Sequence, residues 1–357
     1  MQQPLILNVR PWGRALTGSL LLVALLPACS LPDIPLPAPA EVEVVDPPCV
    51  SIPRSTSWYG YAYETPDETI WYSGCYNPAN ADEAAVVADL PDPARSQPGS
   101  GLYRMNLRTG QRTLIFDGIS SQTVDWSRTG WILFNRGGEA WKVKANGDSA
   151  IQFTSTNRVL NGTEAWSPDG KQVLCQRYPP GHPQPGLVIY TDKGVFVRLM
   201  PDASTRAFSG ISWSPDGRRL AYAGGPNSPV AAPRLCLYDL ATDRIDTLDV
   251  LPRSAHGLSG VRWLPNGQEV VWAGSLGVSI TNVQTRRTRQ LRANCPGDFY
   301  IYSRGLGYPS PSPDGQRILV SRGDFAVSPT YPADVLIAKH SLETMNVHGG
   351  QIRKVTP

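Results

Sequence analysis

The chain is poor in the residues from which catalytic and metal centres are usually assembled. Four histidines serve 357 residues. His182, His256, His340 and His348 show no H-x-x-x-H or comparable spacing, so no metal site is written into them. A G-x-S-x-G nucleophile elbow is missing. So is any sustained apolar repeat at the helical period, which argues against a helical fold. An excess of one charge sign is lacking too: a formal net charge of +3 leaves no electrostatic footprint for nucleic acid. The one basic run, Arg286-Arg287-Thr288-Arg289, reads as a solvated strand edge. These absences predict no catalytic residue, no metal and no cofactor.

The longest apolar run lies near the start. Arg10 and Arg14 precede Leu20-Leu21-Leu22-Val23-Ala24-Leu25-Leu26, which is too short for a lasting bilayer anchor. It ends in Leu26-Pro27-Ala28-Cys29, which resembles the lipobox of bacterial lipoproteins. The resemblance implies a signal peptide over residues 1–28, cleavage before Cys29, and a diacylglycerol on its thiol. Ser30 stands where an aspartate would favour inner-membrane retention, so the resemblance points to the outer membrane, facing the periplasm or the cell surface. Cleavage removes two arginines and no acid, so the net charge falls from +3 to +1. Residues 29–57 are read as the lipidated cysteine and a proline-rich linker, whose proline-dense part, residues 30–48, could hold the globular body up to roughly 60 Å from the lipid at ~3.1 Å per residue of polyproline II.

What the chain has in quantity is punctuation: 34 prolines and 33 glycines set between short apolar runs, which predicts many turns rather than disorder. One motif repeats. Trp166-Ser167-Pro168-Asp169-Gly170 recurs as Trp213-Ser214-Pro215-Asp216-Gly217, and in altered form at Trp126–Gly130, Trp263–Gly267 and Pro311–Gly315. Thr65-Pro66-Asp67-Glu68 is a faint first copy. The steps from Trp126 are 40, 47, 50 and 48 residues, the period of a propeller blade. Proline presets φ in the turn, aspartate tolerates the next position, and glycine accepts the left-handed conformation that closes the hairpin. Asp169, Gly170, Asp216, Gly217, Asp314 and Gly315 are therefore read as turn residues. An apolar run follows each copy, and a second hairpin follows that, as in Leu235–Leu248. The expectation is an all-β fold, a six-bladed β-propeller of four-stranded antiparallel blades over residues 58–357. Trp126, Trp166, Trp213 and Trp263 are expected to pack between blades.

These repeats resemble the propeller of TolB, the periplasmic protein of the Tol–Pal system, and related Tricorn-type and prolyl-oligopeptidase propellers. The resemblance covers nearly all of residues 58–357. It implies a propeller and a general interaction function. The chain departs from TolB proper, since Ser30–Ser57 cannot hold the α/β domain that precedes that propeller, and TolB carries no lipid.

Propeller geometry places A–B and C–D turns on one face, B–C and D–A connections on the other. Long B–C loops are predicted at Gly74–Ser100, Arg177–Pro185, Gly224–Pro233 and Gly323–Ala333. Loops on a rigid scaffold are where binding concentrates; the binding-face candidates are Tyr76, Tyr178, His182, Phe325 and Tyr331. The reading is a monomeric, non-catalytic scaffold held at the membrane by its lipid, recognising an envelope protein or a glycan. The alternative is a carbohydrate lyase or hydrolase with its site at the channel mouth. Cys175 and Cys236 read as small buried hydrophobes. One disulfide is expected among Cys49, Cys75 and Cys295, with Cys75–Cys295 slightly favoured as a staple from first blade to last, worth ~2–5 kcal/mol in the chain-entropy model.

Overall fold

The computed structural model describes residues 60–62, 70–89, 100–119, 123–152, 159–177, 186–200, 210–224, 234–250, 258–274, 276–294, 305–327 and 335–355. They form a six-bladed β-propeller, with no helix among them. Each blade runs A to D outward from the axis. Blade 1 is Ile70–Asn77, Asn80–Asp89, Ser100–Asn106 and Arg112–Ile119. Blade 2 is Asp125–Trp126, Trp131–Arg136, Glu139–Lys144 and Ile151–Gln152. Blade 3 is Val159–Trp166, Gln172–Arg177, Gly186–Thr191 and Phe196–Leu199. Blade 4 is Ile211–Trp213, Arg219–Gly224, Arg234–Asp239 and Arg244–Val250. Blade 5 is Leu258–Trp263, Glu269–Gly274, Gly277–Asn282 and Thr288–Ala293. Blade 6 has Gly305–Pro311, Arg317–Val327 and Val335–Asn346; two short segments complete its outer edge, Arg353–Lys354 antiparallel and Gly60–Ala62 parallel to strand C.

The A–B turns show why the motif repeats. In blade 3, Gly170 takes φ +68° and its N–H bonds Ser167 O at 2.8 Å. Asp169 Oδ1 accepts from Ser167 Oγ at 2.6 Å and from Lys171 N at 3.0 Å, and Ser167 Oγ accepts from Gln172 N at 2.9 Å. The same set recurs at Asp216 with Gly217 and at Asp314 with Gly315. The Ser167 hydroxyl, then the Lys171 N–H, holds the Asp169 carboxyl below the usual carboxylate range. A carboxyl lowered in this way contributes fully above its ordinary pKa and loses that contribution as pH falls through the lowered value. Asp169→Asn retains an acceptor at the same place and is expected to be near neutral. Asp169→Ala is expected to lose ~1 kcal/mol, read by urea unfolding.

Blade 1 departs from the expected register. Its A–B turn lies between Asn77 and Asn80, so Tyr76-Asn77-Pro78-Ala79-Asn80 is the first copy of the motif, fifty residues before Trp126. Thr65–Glu68 falls outside the described residues. The segment predicted as a loop from Gly74 to Ser100 instead contains the end of strand A and all of strand B. Only the stretch between Asp89 and Ser100 joins B to C. Cys75 and Tyr76 therefore belong to a strand.

Six core clusters each straddle one blade seam, and an aromatic at the end of strand A enters five of them. Trp126 packs with Ala85, Val87 and Leu102 of blade 1, Trp166 with Leu133 and Ala140 of blade 2, Trp213 with Leu174 and Ile189 of blade 3, and Trp263 with Ala221 and Leu235 of blade 4. Tyr76 packs in the same way with Leu319 and Leu342 of blade 6, which closes the ring. Blades 5 and 6 have no such aromatic, because Pro311 stands in its place; Leu264, Ile280, Ile318 and Met345 fill their seam. Its outer part holds a buried charge cluster. Arg292 Nη1 lies 2.5 Å from Glu343 Oε2, with side chains 4 % and 3 % exposed, and Arg322 Nη1 lies 4.0 Å from the same oxygen. Cys175 and Cys236 are buried, as their apolar strands predict.

Candidate functional site at the channel mouth

Six A strands converge on the axis, and the residue just before the aromatic position points from one blade to the next. These residues are Cys75, Asp125, Ala165, Ser212, Arg262 and Ser310. Three of them make the same bond. Asp125 Oδ2 accepts from Trp166 N at 2.7 Å, Ser212 Oγ from Trp263 N at 2.9 Å, and Ser310 Oγ from Tyr76 N at 3.1 Å. Ala165 has no side-chain acceptor, and there Trp213 Nε1 donates to the Ala165 carbonyl at 3.3 Å. Between blades 5 and 6 the bond is impossible, since Pro311 has no N–H. Arg262, whose guanidinium could not accept such a bond in any case, reaches across the channel. Its Nη1 donates to Ile211 O of blade 4 at 2.6 Å and its Nη2 to Val124 O of blade 2 at 3.4 Å, while Asp125 Oδ1 lies 3.6 Å away. Cys75 Sγ also lies 3.6 Å from Asp125 Oδ1.

The channel mouth opens two to three residues before the aromatic layer, on the side away from the A–B turns. This is the face of the D–A and B–C connections. Its wall combines small residues such as Gly74, Gly210 and Ser259 with the apolar Val124, Ile211 and Val261, and with Arg262 and Tyr308. The cavity is about 30 Å³, room for one or two waters or the tip of a side chain. Ser259 Oγ is buried in the wall without a hydrogen-bond partner among the described residues. Arg262 and Asp125 are 18 % and 16 % exposed, so this charged pair at the mouth is largely screened from water by protein. Burial, then the Asp125 charge, pushes the Cys75 thiol up to about 12 against the opposing effect of Arg262. It therefore stays protonated at neutral pH and is a poor nucleophile.

The predicted site residues distribute as follows. Tyr76 is not a loop residue of the binding face: it is 3 % exposed, at the blade 6–blade 1 seam, because the first motif copy begins with it. Cys75 is likewise not a loop cysteine. It is free and buried in strand A, against Asp125 rather than near a sulfur partner. Phe325 lies in strand B of blade 6, opposite Ala338. Cys29, Cys49, Tyr178, His182, Cys295 and Tyr331 lie outside the described residues. No group of three or more His, Cys, Asp or Glu side chains able to hold a metal occurs among the described residues. Sequence reasoning missed Asp125, Arg262, Ser212 and Ser310. Their shared signal was position, one residue before the motif, and not residue type.

No protein-family model and no curated protein matches the chain. Solved structures match it by shape. The TolB-type protein of Agrobacterium tumefaciens superposes with a TM-score of 0.54 at 17 % identity, covering 70 % of this chain and 86 % of that one. TolB of Acinetobacter baumannii gives 0.50 at 21 % identity, covering 62 % of this chain and 53 % of that protein, so the likeness spans about half its length. A puromycin hydrolase gives 0.52 at 14 % identity, covering 84 % of this chain and 56 % of that one. At such identities the likeness is one of fold: the chain carries a propeller similar to that of the TolB proteins.

Proposed function

We propose that the protein is a bacterial envelope lipoprotein, anchored through Cys29, whose propeller is a non-catalytic scaffold. It binds an envelope protein or a glycan with the face that carries the channel mouth and the B–C connections. One observation carries this reading: the charged groups at the mouth are committed to holding blades together. Arg262 spends donors on two carbonyls and faces Asp125, which in turn accepts a backbone N–H of blade 3. What the mouth leaves for a partner is a shallow wall of small and apolar side chains. The TolB-like fold fits such a role, and the partner is proposed to lie in the same compartment, at the outer membrane, with the protein itself a monomer.

A photo-crosslinking amino acid at Leu276, exposed in the B–C connection of blade 5, is expected to capture a partner in intact cells. The same group at Asp216, on the opposite face, is expected to capture none. Capture from position 216 alone would reverse the face. In parallel, Cys29→Ala should abolish palmitate labelling and release the protein from the membrane fraction; unchanged retention would remove the anchor. Turnover of a polysaccharide by purified protein would replace binding with catalysis.

A further inference from the structure

The lysines of this chain are few and gathered. There are six in all, and four, Lys142, Lys144, Lys171 and Lys193, belong to blades 2 and 3. They surround one turn, between strands C and D of blade 3, closed by Thr191 N to Val195 O at 2.8 Å and Gly194 N to Thr191 O at 3.0 Å. Asp192 N donates to Lys171 O at 2.8 Å, and Lys142 Nζ reaches Asp192 O from blade 2 at 2.5 Å. Lys142 and Lys144 both stack on the Trp131 ring, at 4.8 and 5.0 Å. Lys144, Lys171 and Lys193 are exposed.

Out of this collar runs an apolar strip. Val195, Phe196 and Val197 are 61 %, 46 % and 41 % exposed, and Ile151, paired opposite Lys142, is 43 % exposed. Of the five large apolar side chains exposed among the described residues, these are four; Leu276 is the fifth. Three consecutive exposed apolar residues at the start of an outer strand, ringed by lysine, do not suit water. Four acids lie nearby, and the bonds that three of them accept leave their charge in place. Asp169 is bonded by Ser167 and Lys171 N, Asp148 by Asn146, and the Arg198 that follows the strip is paired with Asp243. Asp192 is half-buried in the turn itself.

We propose that the rim of blades 2 and 3 is a membrane-contact site. Phe196 and its valine neighbours enter the boundary between headgroups and acyl chains of an anionic bilayer, and Lys144, Lys171 and Lys193 meet the lipid phosphates. Charge complementarity selects this occupant over a second copy of the chain, because two such patches face to face would set lysine against lysine. The inference goes beyond the binding-face reading and does not depend on Cys29.

The test uses the full-length Cys29→Ala protein carrying an environment-sensitive fluorescent amino acid at position 196, or at 276 as control. Vesicles of phosphatidylcholine with phosphatidylglycerol are compared with phosphatidylcholine alone. A blue shift at 196 is expected with the anionic vesicles only. It should need about tenfold more lipid after Lys171→Glu with Lys193→Glu, and none should occur at 276. Co-sedimentation with no shift at 196, an equal shift at 276, or a concentration-dependent shift at 196 without lipid would each overturn the proposal, the last by showing self-association.

Discussion

Glu343→Ala is expected to destabilise the propeller by about 3–5 kcal/mol, the range for breaking a buried ion pair from one side. The carboxylate sits 2.5 Å from Arg292 and 4.0 Å from Arg322, and all three side chains are less than a tenth exposed. Removing it leaves two guanidinium groups deep in the seam between blades 5 and 6 without the carboxylate they share. The loss lies in desolvated charge rather than in a missing bond. Replacing the whole cluster, Arg292→Met with Glu343→Leu and Arg322→Met, should therefore cost far less than the single change. Urea unfolding of both variants checks this. A triple variant as unstable as Glu343→Ala would mean that packing, not charge, sets the penalty.

Gly210→Ala comes next, at about 3–4 kcal/mol, combining a strained backbone with overpacking. Gly210 has φ +69°, and a Cβ there would stand 2.3 Å from Val261 N and 2.7 Å from Gly260 Cα. Both neighbours are main chain of the adjoining A strand, so neither can swing aside. Relief requires parting blades 4 and 5 at the channel mouth, which draws Ile211 O away from Arg262. Gly217 makes the comparison clean. Its φ is +71°, but the nearest atom to its Cβ would be Pro168 Cδ at 3.9 Å. Gly217→Ala should cost only the conformational term, ~1 kcal/mol. Equal losses at the two positions would show that contact across the seam matters little.

The blade count and most turns could be read in advance because the motif serves local backbone needs. A proline, an aspartate and a glycine at fixed offsets say what the chain does over five residues, and Trp166 to Gly170 states it fully. Blade 1 was misread because Tyr76–Asn80 keeps the proline but replaces tryptophan, aspartate and glycine, while Thr65–Glu68 looks closer in letters. Spacing from Trp126 and the apolar run Ala84–Ala88 would have located it. The inter-blade bonds were illegible for another reason. Cys75, Asp125, Ala165, Ser212, Arg262 and Ser310 share a place in the ring but no chemistry, so no repeat marks them. Arg289 lies on an outer strand as the basic run predicts and Arg286 in the turn before it, yet each has a partner on a neighbouring blade: Arg286 pairs with Asp246, and Arg289 donates to Val347 O at 2.5 Å. A pattern along one strand does not report what the next blade offers.

The closure of the ring has a consequence for biogenesis. Ser310 to Tyr76 N spans 234 residues, Arg317 to Ala81 O 236, and Arg353 to Arg108 O 245. A chain that is synthesised amino end first delivers blade 1 long before blade 6. Until then Ala84, Val86 and Tyr103 lack the cover of Leu319 and Leu342. The nascent protein thus travels with one sticky flank of its first blade bare, and the last fifty residues act as its shield. A truncation inside blade 6 is, on these grounds, a route to aggregation rather than to a shorter propeller.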